Sequence, residues 1–343
     1  MMSIVFRCLA NALPVTLCLL IVSIVLVLPG CGGGGNGAGD GKTLAFVPKS
    51  REHSFWLAVI RGAERAAEEK SVELIIQSPT QESDVAKQVD LVNLLRTEGA
   101  DGLILAPLND ESLLRPAQEF GKPVVIMDSP LAGVVGEDFE SFVGTENKAA
   151  GVLAGETLAA ALGDNKKVVL LRYIEGSAST TQREEGFLES VGGIDGVEVI
   201  SSNQYAGASV NSAQDKAATL ADTIREAGGV FTPNQPSSIG MLNFLKNSGL
   251  AGEVEFVAFD ASIKLVEGLV AGHVTAIVVQ DPETMGYNAV MTMLDVLDGK
   301  EVEPHVDTGA IVVTQDNLTD PRVQSILLAY DQGIKEHLPA ASE

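Results

Sequence analysis

Eleven short apolar runs, separated by longer stretches with helical periodicity, constrain most strongly what this chain can fold into. The runs are TLAFV (43–47), VELIIQ (72–77), GLILA (102–106), PVVIM (123–127), SFVG (141–144), KVVLL (167–171), VEVIS (197–201), GVFT (229–232), VEFVAF (254–259), VTAIVV (274–279) and GAIVV (309–313). Most are rich in Val and Ile and continuously apolar, which suits parallel strands buried on both faces. Between them, Trp56, Ile60, Ala63 and Ala67 recur at helical spacing, and residues 147–162 and 282–297 read as further helices. Pro282 suits a first helical position, where its missing N–H is not needed. Repeated β-α-β units imply α/β architecture with right-handed crossovers. Eleven strands are too many for one sheet of ordinary size, so the spacing predicts two doubly wound parallel sheets, each in its own lobe.

The first thirty residues stand apart from this pattern. Arg7 gives a cationic start, Leu9 to Val27 is almost wholly apolar, and the run ends in Leu28-Pro29-Gly30-Cys31. That order describes a secretory signal. The ending resembles a lipobox, in which Cys31 carries diacylglycerol and becomes the new amino terminus. Pro29 departs from the small or branched residue usual there. The alternative is a single membrane-spanning anchor, since the apolar run is nearly long enough. Cys8 and Cys18 fall in the removed segment, so with Cys31 lipidated the mature chain has no thiol for a nucleophile or metal cage. Residues 32–41, GGGGNGAGDG, read as a flexible tether. The G-x-G-x-x-G it contains (Gly32, Gly34, Gly37) has no strand before it and no helix after it, so it aims no helix terminus at a phosphate.

The formal net charge is −23. A surface that acidic repels phosphate backbones and argues against nucleic acid as a partner. No G-x-S-x-G, P-loop or H-E-x-x-H is present, and His53, His273, His305 and His337 show no metal spacing. No enzyme, metal or cofactor is therefore implied. A transcriptional regulator would need a DNA-reading module before the first strand, where this chain has a signal and a tether.

Ligands of open α/β sheets sit beyond the carboxyl ends of the strands. After the first run comes KSREHSFW (49–56), which holds His53, Phe55 and Trp56, the only tryptophan. Asp128 and Ser129 follow PVVIM, Arg183 lies in the segment after KVVLL, and Asn234 follows GVFT. Asp260 follows VEFVAF, and Gln280 ends VTAIVV. Each has a plainer reading. Asp128 and Asp260 could cap a following helix, Arg183 could be an exposed helix charge, Asn234 and Gln280 could satisfy turn backbone, and Phe55 and Trp56 could be core. The functional reading rests on the set.

Through EGADGLILAPLNDESL, KPVVIMDSP, FVGTENKAAGVLAGE, REEGF, FTPNQPSSIGML, EFVAFDAS and VVQDPETMGYNAV, in that order, the chain resembles the periplasmic sugar-binding proteins of the ribose-binding type. The similarity runs from Lys42 to about Asn317. It implies the type I periplasmic binding protein fold, with two lobes joined by three hinge crossings near Thr145, Gln280 and Thr308. Residues 1–30 would be the signal, 31–42 the lipidated Cys31 and tether, and 319–343 a helical tail. The first lobe would be 43–145 with 281–308, and the second 146–280 with 309–318. Carried over by position, His53 falls where ribose binders have an asparagine, and Phe55 and Trp56 fall on their aromatic pair. Asp128, Arg183, Asn234, Asp260 and Gln280 match the family's polar ligands. Ser129 stands where a sugar-gripping arginine is usual, and Gly207 lies near the place of another aromatic. The implied partners are a small sugar, the permease subunits of an ABC importer or a membrane receptor, and a bacterial membrane reached through the lipid. The protein is expected to act as a monomer outside the cytoplasm.

The side-chain chemistry agrees with that resemblance. Aromatic rings cover the apolar C–H faces of a sugar, while carboxylate, amide and guanidinium groups serve its hydroxyl rim. Hydrogen bonds to charged partners are worth about 1.5–3 kcal/mol each. Two carboxylates against one guanidinium, with His53 able to add a charge, suit a neutral polyol and disfavour a phosphate.

Overall fold

The computed structural model describes residues 41–339. The signal, Cys31 and nearly all of the tether lie outside the described residues. The chain opens with β1 (Thr43–Val47), α1 (Ser54–Lys70), β2 (Glu73–Ile76), α2 (Val85–Glu98), β3 (Gly102–Leu105), α3 (Leu114–Gln118), β4 (Val124–Met127) and β5 (Ser141–Gly144). It continues through α4 (Asn147–Ala161), β6 (Lys167–Arg172), α5 (Ala178–Gly192), β7 (Glu198–Tyr205), α6 (Val210–Thr219), α7 (Ala221–Glu226), β8 (Gly229–Phe231), α8 (Gln235–Asn247), β9 (Glu255–Phe259), α9 (Ile263–Val270) and β10 (Ala276–Gln280). The last elements are α10 (Pro282–Leu297), β11 (His305–Asp307), β12 (Ala310–Val313), α11 (Pro321–Tyr330) and a 3-10 turn over Gln332–His337.

The strands form two six-stranded sheets, in the orders β11-β5-β4-β3-β1-β2 and β12-β10-β9-β8-β6-β7. All pairs are parallel except β10 with β12. Each sheet winds outward in both directions from one point, between β1 and β3 in the first and between β6 and β8 in the second. Such a switch point leaves a crevice at the carboxyl ends of the strands. The central strands are buried on both faces, as their unbroken Val, Ile and Leu runs require: β3, β4 and β8 have no exposed residue.

Each of the eleven apolar runs overlaps a strand. A twelfth, β11, has the sequence HVD and no apolar run to announce it. It is an edge strand, bonded only to β5, so it needs no two-sided apolar face. The edge strand β7 runs on through the polar SSNQY, farther than the apolar VEVIS predicts.

The chain passes between the sheets three times, after β5, after β10 and between β11 and β12. These passages are tied to one another. The Thr145 hydroxyl faces Gln280 Oε1 at 2.8 Å and the Gly309 carbonyl at 3.2 Å. The Thr308 N–H donates to the Gly144 carbonyl at 3.0 Å. The Glu146 N–H donates to Asp307 Oδ1 at 3.2 Å, and His305 Nδ1 lies 2.7 Å from Glu146 Oε1.

Both lobes carry helix pairs in backbone-to-backbone contact. A Cβ at Gly62 of α1 would lie 2.0 Å from the Glu283 carbonyl of α10, and one at Gly286 of α10 would lie 1.8 Å from the Val59 carbonyl. Gly151 of α4 and Gly186 of α5 repeat this, each 2.0 Å from the carbonyls of Arg183 and Lys148. Glycine alone permits that approach. Its consequence in the second lobe is positional, because it presses the turn of α5 that carries Arg183 against α4. Among the described residues, no helix is long and apolar enough to cross a membrane.

Candidate ligand-binding site

The carboxyl ends of both sheets face each other across a narrow cavity lined by residues of both lobes. Of the nine residues expected to bind ligand, eight line it: His53, Phe55, Trp56, Asp128, Arg183, Asn234, Asp260 and Gln280. Ser129 does not. Its hydroxyl accepts the Ser179 N–H at 3.1 Å, a bond from the first lobe to the start of α5 in the second.

Phe55 and Trp56 open α1 and are 5% and 3% exposed, with ring centroids 5.0 Å apart in an edge-to-face arrangement. They are core residues and cavity wall at once, so the two readings of the sequence do not compete. Asp128 and Asp260 do not cap helices. Both follow the last residue of a strand with left-handed backbone, φ 61° and 64°. The cap of α9 is Ser262, whose side chain accepts the Leu265 N–H. Left-handed geometry is uncommon outside glycine and is tolerated best by Asn and Asp. Here it turns each strand end and leaves the carboxylate on the cavity.

Arg183 is 2% exposed. Its Nε donates to Asn147 Oδ1 at 2.8 Å, Nη1 to the Pro233 carbonyl at 3.1 Å and Nη2 to Gln280 Oε1 at 3.0 Å. The guanidinium lies 4.1 Å above the Phe259 ring. Three of its five N–H groups are thus used in holding it, and two remain for a ligand. Gln280 is the hub of the arrangement. Its oxygen takes Thr145 at a chain crossing and Arg183, and its Nε2 donates to Asp260 Oδ1 at 2.8 Å. Asn234 does serve turn backbone, as N-cap of α8 with its side chain accepting from Ser237, and it lines the cavity as well.

Three cavity residues that carry chemistry were not singled out from the sequence: Lys49, Glu82 and Tyr173. Lys49, two residues beyond β1, donates to Asp128 Oδ2 at 2.9 Å and to Ser179 Oγ at 3.1 Å. Glu82, in the β2–α2 loop, accepts from Trp56 Nε1 at 2.7 Å and from the Tyr173 hydroxyl at 3.0 Å. His53 Nε2 lies 3.8 Å from Glu82. Gln235 donates to Ser54 Oγ at 2.7 Å. Lys49 and Tyr173 were within reach of the strand-end rule, since each lies within two residues of a strand's end. Glu82 follows a loop of Ser, Pro and Thr and gave no signal. Gly207, which stands near the place of a family aromatic, has φ 82° and donates its N–H to the Tyr173 carbonyl. Tyr173 is the aromatic that the second lobe brings to the cavity.

The charge balance therefore differs from the expected two carboxylates and one guanidinium. The cavity has three carboxyl groups, Glu82, Asp128 and Asp260, and two basic side chains, Lys49 and Arg183. Burial pushes the Asp260 carboxyl up from its ordinary range, against the opposing pull of Arg183 and of the hydrogen bonds from Gln280 and Tyr330. Burial, reinforced by the Glu82 carboxylate, raises Tyr173 well above the usual phenol. Tyr173 stays a neutral donor. The bonds Lys49–Ser179, Tyr173–Glu82, Gln235–Ser54 and Ser179–Ser129 all join one lobe to the other, so the cleft is closed around the cavity.

The model of the periplasmic binding protein domain matches residues 44–301. The ribose import binding protein of Haemophilus influenzae is 25% identical over 280 residues, which are 80% of this chain and 91% of that protein. Among solved structures, the periplasmic component of an ABC-type sugar transport system from Hahella chejuensis is 34% identical, with a TM-score of 0.76. The alignment covers 79% of this chain and 99% of that one. A carbohydrate transporter solute-binding protein from Agrobacterium radiobacter, solved with D-arabinose, is 27% identical with a TM-score of 0.80, covering 84% and 99%. With its two parallel-sheet lobes, its strand-end cavity and a family match over most of its length, the chain belongs to the periplasmic binding proteins.

Proposed function

We propose that this protein captures a neutral monosaccharide, a pentose or hexose, in the interlobe cavity and delivers it to an ABC importer. The observation that carries this reading is the cavity wall. Two buried aromatic rings stand beside buried carboxylates, amides and a guanidinium supplied by both lobes. A sugar needs both kinds of surface, and an excess of one carboxylate over the basic side chains disfavours phosphates and dicarboxylates. The names of the relatives, which concern ribose import and D-arabinose, point the same way.

In this reading the sugar binds His53, Phe55, Trp56, Asp128, Arg183, Asn234, Asp260 and Gln280. The protein works outside the cytoplasm, leaves its ligand chemically unchanged, and is held to a membrane by lipid on Cys31. The lobes, 43–145 with 281–308 and 146–280 with 309–318, close as near-rigid bodies about the three crossings. A ligand touching both lobes favours the closed form, because only differential affinity shifts such an equilibrium.

A thermal-shift screen against pentoses, hexoses and polyols tests the function, since a ligand bound only by the folded state raises its melting temperature. A neutral sugar should do so and be recovered intact. No shift with any sugar, or conversion of the sugar, refutes the reading. Small-angle scattering should show a smaller radius of gyration at saturating sugar. Cys31→Ser should release the protein from membranes.

A further inference from the structure

The helix after the last sheet strand, α11, begins at Pro321 behind the N-cap Asp320 and buries Val323, Leu327 and Tyr330 on one face. It packs against α1 and α10 of the first lobe and β10 of the second. Arg61 of α1 donates to the Ala329 carbonyl. Beyond α11, the 3-10 turn packs on α9, with Ile334 fully buried and His337 Nδ1 3.4 Å from Glu267. The segment is thus fixed to both lobes. It also lies beyond residues 44–301, where the family match ends.

Tyr330 is where this segment meets the cavity wall from behind. It is 1% exposed and its ring centroid lies 6.2 Å from that of Phe55. Its hydroxyl accepts the Gln280 N–H at 3.1 Å and donates to Asp260 Oδ1 at 3.0 Å. Gln280 Nε2 donates to the same oxygen. With two donors on Oδ1, the carboxylate is fixed in rotation, and Oδ2 accepts no hydrogen bond from the described residues. A buried phenol needs such partners, but leucine or phenylalanine would fill the space without them. The hydroxyl has a directional use.

We propose that Tyr330 is a positioning residue for ligand binding, its hydroxyl orienting the Asp260 carboxylate and the Gln280 backbone for the ligand, so that the C-terminal segment forms part of the site. This rests on the sugar-binding reading. The charged and titratable groups around Asp260 are Arg183 on α5, Asp128 after β4 with Lys49 paired to it, and Tyr330 itself; His53 and Glu82 line the same cavity. Binding through an ionised Asp260 is held above its pKa and lost as pH falls through it. The Tyr330 donor holds that pKa down, so its removal moves the loss to higher pH.

The test uses Tyr330→Phe, which keeps the ring against Phe55. Titration calorimetry with D-ribose, D-arabinose or whichever panel sugar gives the largest thermal shift should show affinity about tenfold weaker at neutral pH, the worth of one hydrogen bond to a charged group. The acid limb of its affinity–pH profile should lie at higher pH than in the wild type. In Asp260→Asn that limb should be absent. Wild-type affinity in Tyr330→Phe, an unmoved acid limb, or a limb that persists in Asp260→Asn would each overturn the proposal. Failure of the wild type to bind any sugar would instead remove the reading beneath it.

Discussion

Replacing Asp128 with alanine should weaken ligand binding by more than the loss of one hydrogen bond, because the structure gives Asp128 a second duty. Its Oδ2 lies 2.9 Å from Lys49 Nζ, and both side chains are 5% exposed. Without the carboxylate, Lys49 keeps only the Ser179 hydroxyl as a partner among the described residues. Removing one member of a buried ion pair costs about 3–5 kcal/mol. Ser179 belongs to the second lobe, and opening the lobes would let water reach the ammonium. The penalty then falls on the closed state and reads out as lost affinity, while the unliganded melting temperature changes little. That loss corresponds to a Kd roughly 150- to 5,000-fold higher. The assay is calorimetric titration with the sugar found by thermal shift, on the wild type, Asp128→Ala, Lys49→Met and the double variant. Lys49→Met in the Asp128→Ala background removes the stranded charge, so the double variant should bind no worse than Asp128→Ala alone. An Asp128→Ala affinity within about threefold of wild type, a change under 1 kcal/mol, would show that Asp128 does not serve the closed site. Additive losses in the double variant would show that the two residues are not coupled.

Gly186→Ala should destabilise the second lobe by about 1–3 kcal/mol, as overpacking does, because its Cβ would lie 2.0 Å from the Lys148 carbonyl. Chemical denaturation measures this, and an unchanged midpoint would refute the close α4–α5 contact. Glu184 gives a pH dependence with a definite sign. Burial pushes its pKa from 4.5 to about 7, partly offset by the Tyr173 N–H and Arg172. Between those values the folded protein holds a proton that the unfolded chain has lost. The contribution of Glu184 is therefore complete below pH 4.5 and declines as pH rises to about 7, by about 1.4 kcal/mol per pH unit where fully expressed. Glu184→Gln should lack this decline. Parallel stability–pH curves for wild type and Glu184→Gln would contradict it.

The sequence by itself determined the fold class, and for a physical reason. A strand buried on both faces must be apolar at every position, so each central strand of both sheets announces itself as an unbroken run, and the helices between show their own period. A second rule, that open α/β sheets bind ligands beyond the carboxyl ends of their strands, together with the family resemblance, placed eight cavity residues. What it could not supply was any feature set by contacts between distant segments. The edge strand β11 has no apolar signature because β5 alone covers it. Ser129 looked like a ligand residue by position, but in the closed cleft its hydroxyl takes a backbone N–H of the opposite lobe. Lys49, Glu82 and Tyr173 are ordinary charged and aromatic residues until folding brings Lys49 to Asp128 and Glu82 to Trp56 and Tyr173, across separations of 79, 26 and 91 residues. The tail showed only a helical period. That Tyr330 stands 70 residues from Asp260 in sequence and 3.0 Å from it in space is a fact of tertiary packing, because burial and hydrogen bonding depend on which surfaces meet, and local pattern fixes only which surface each element offers.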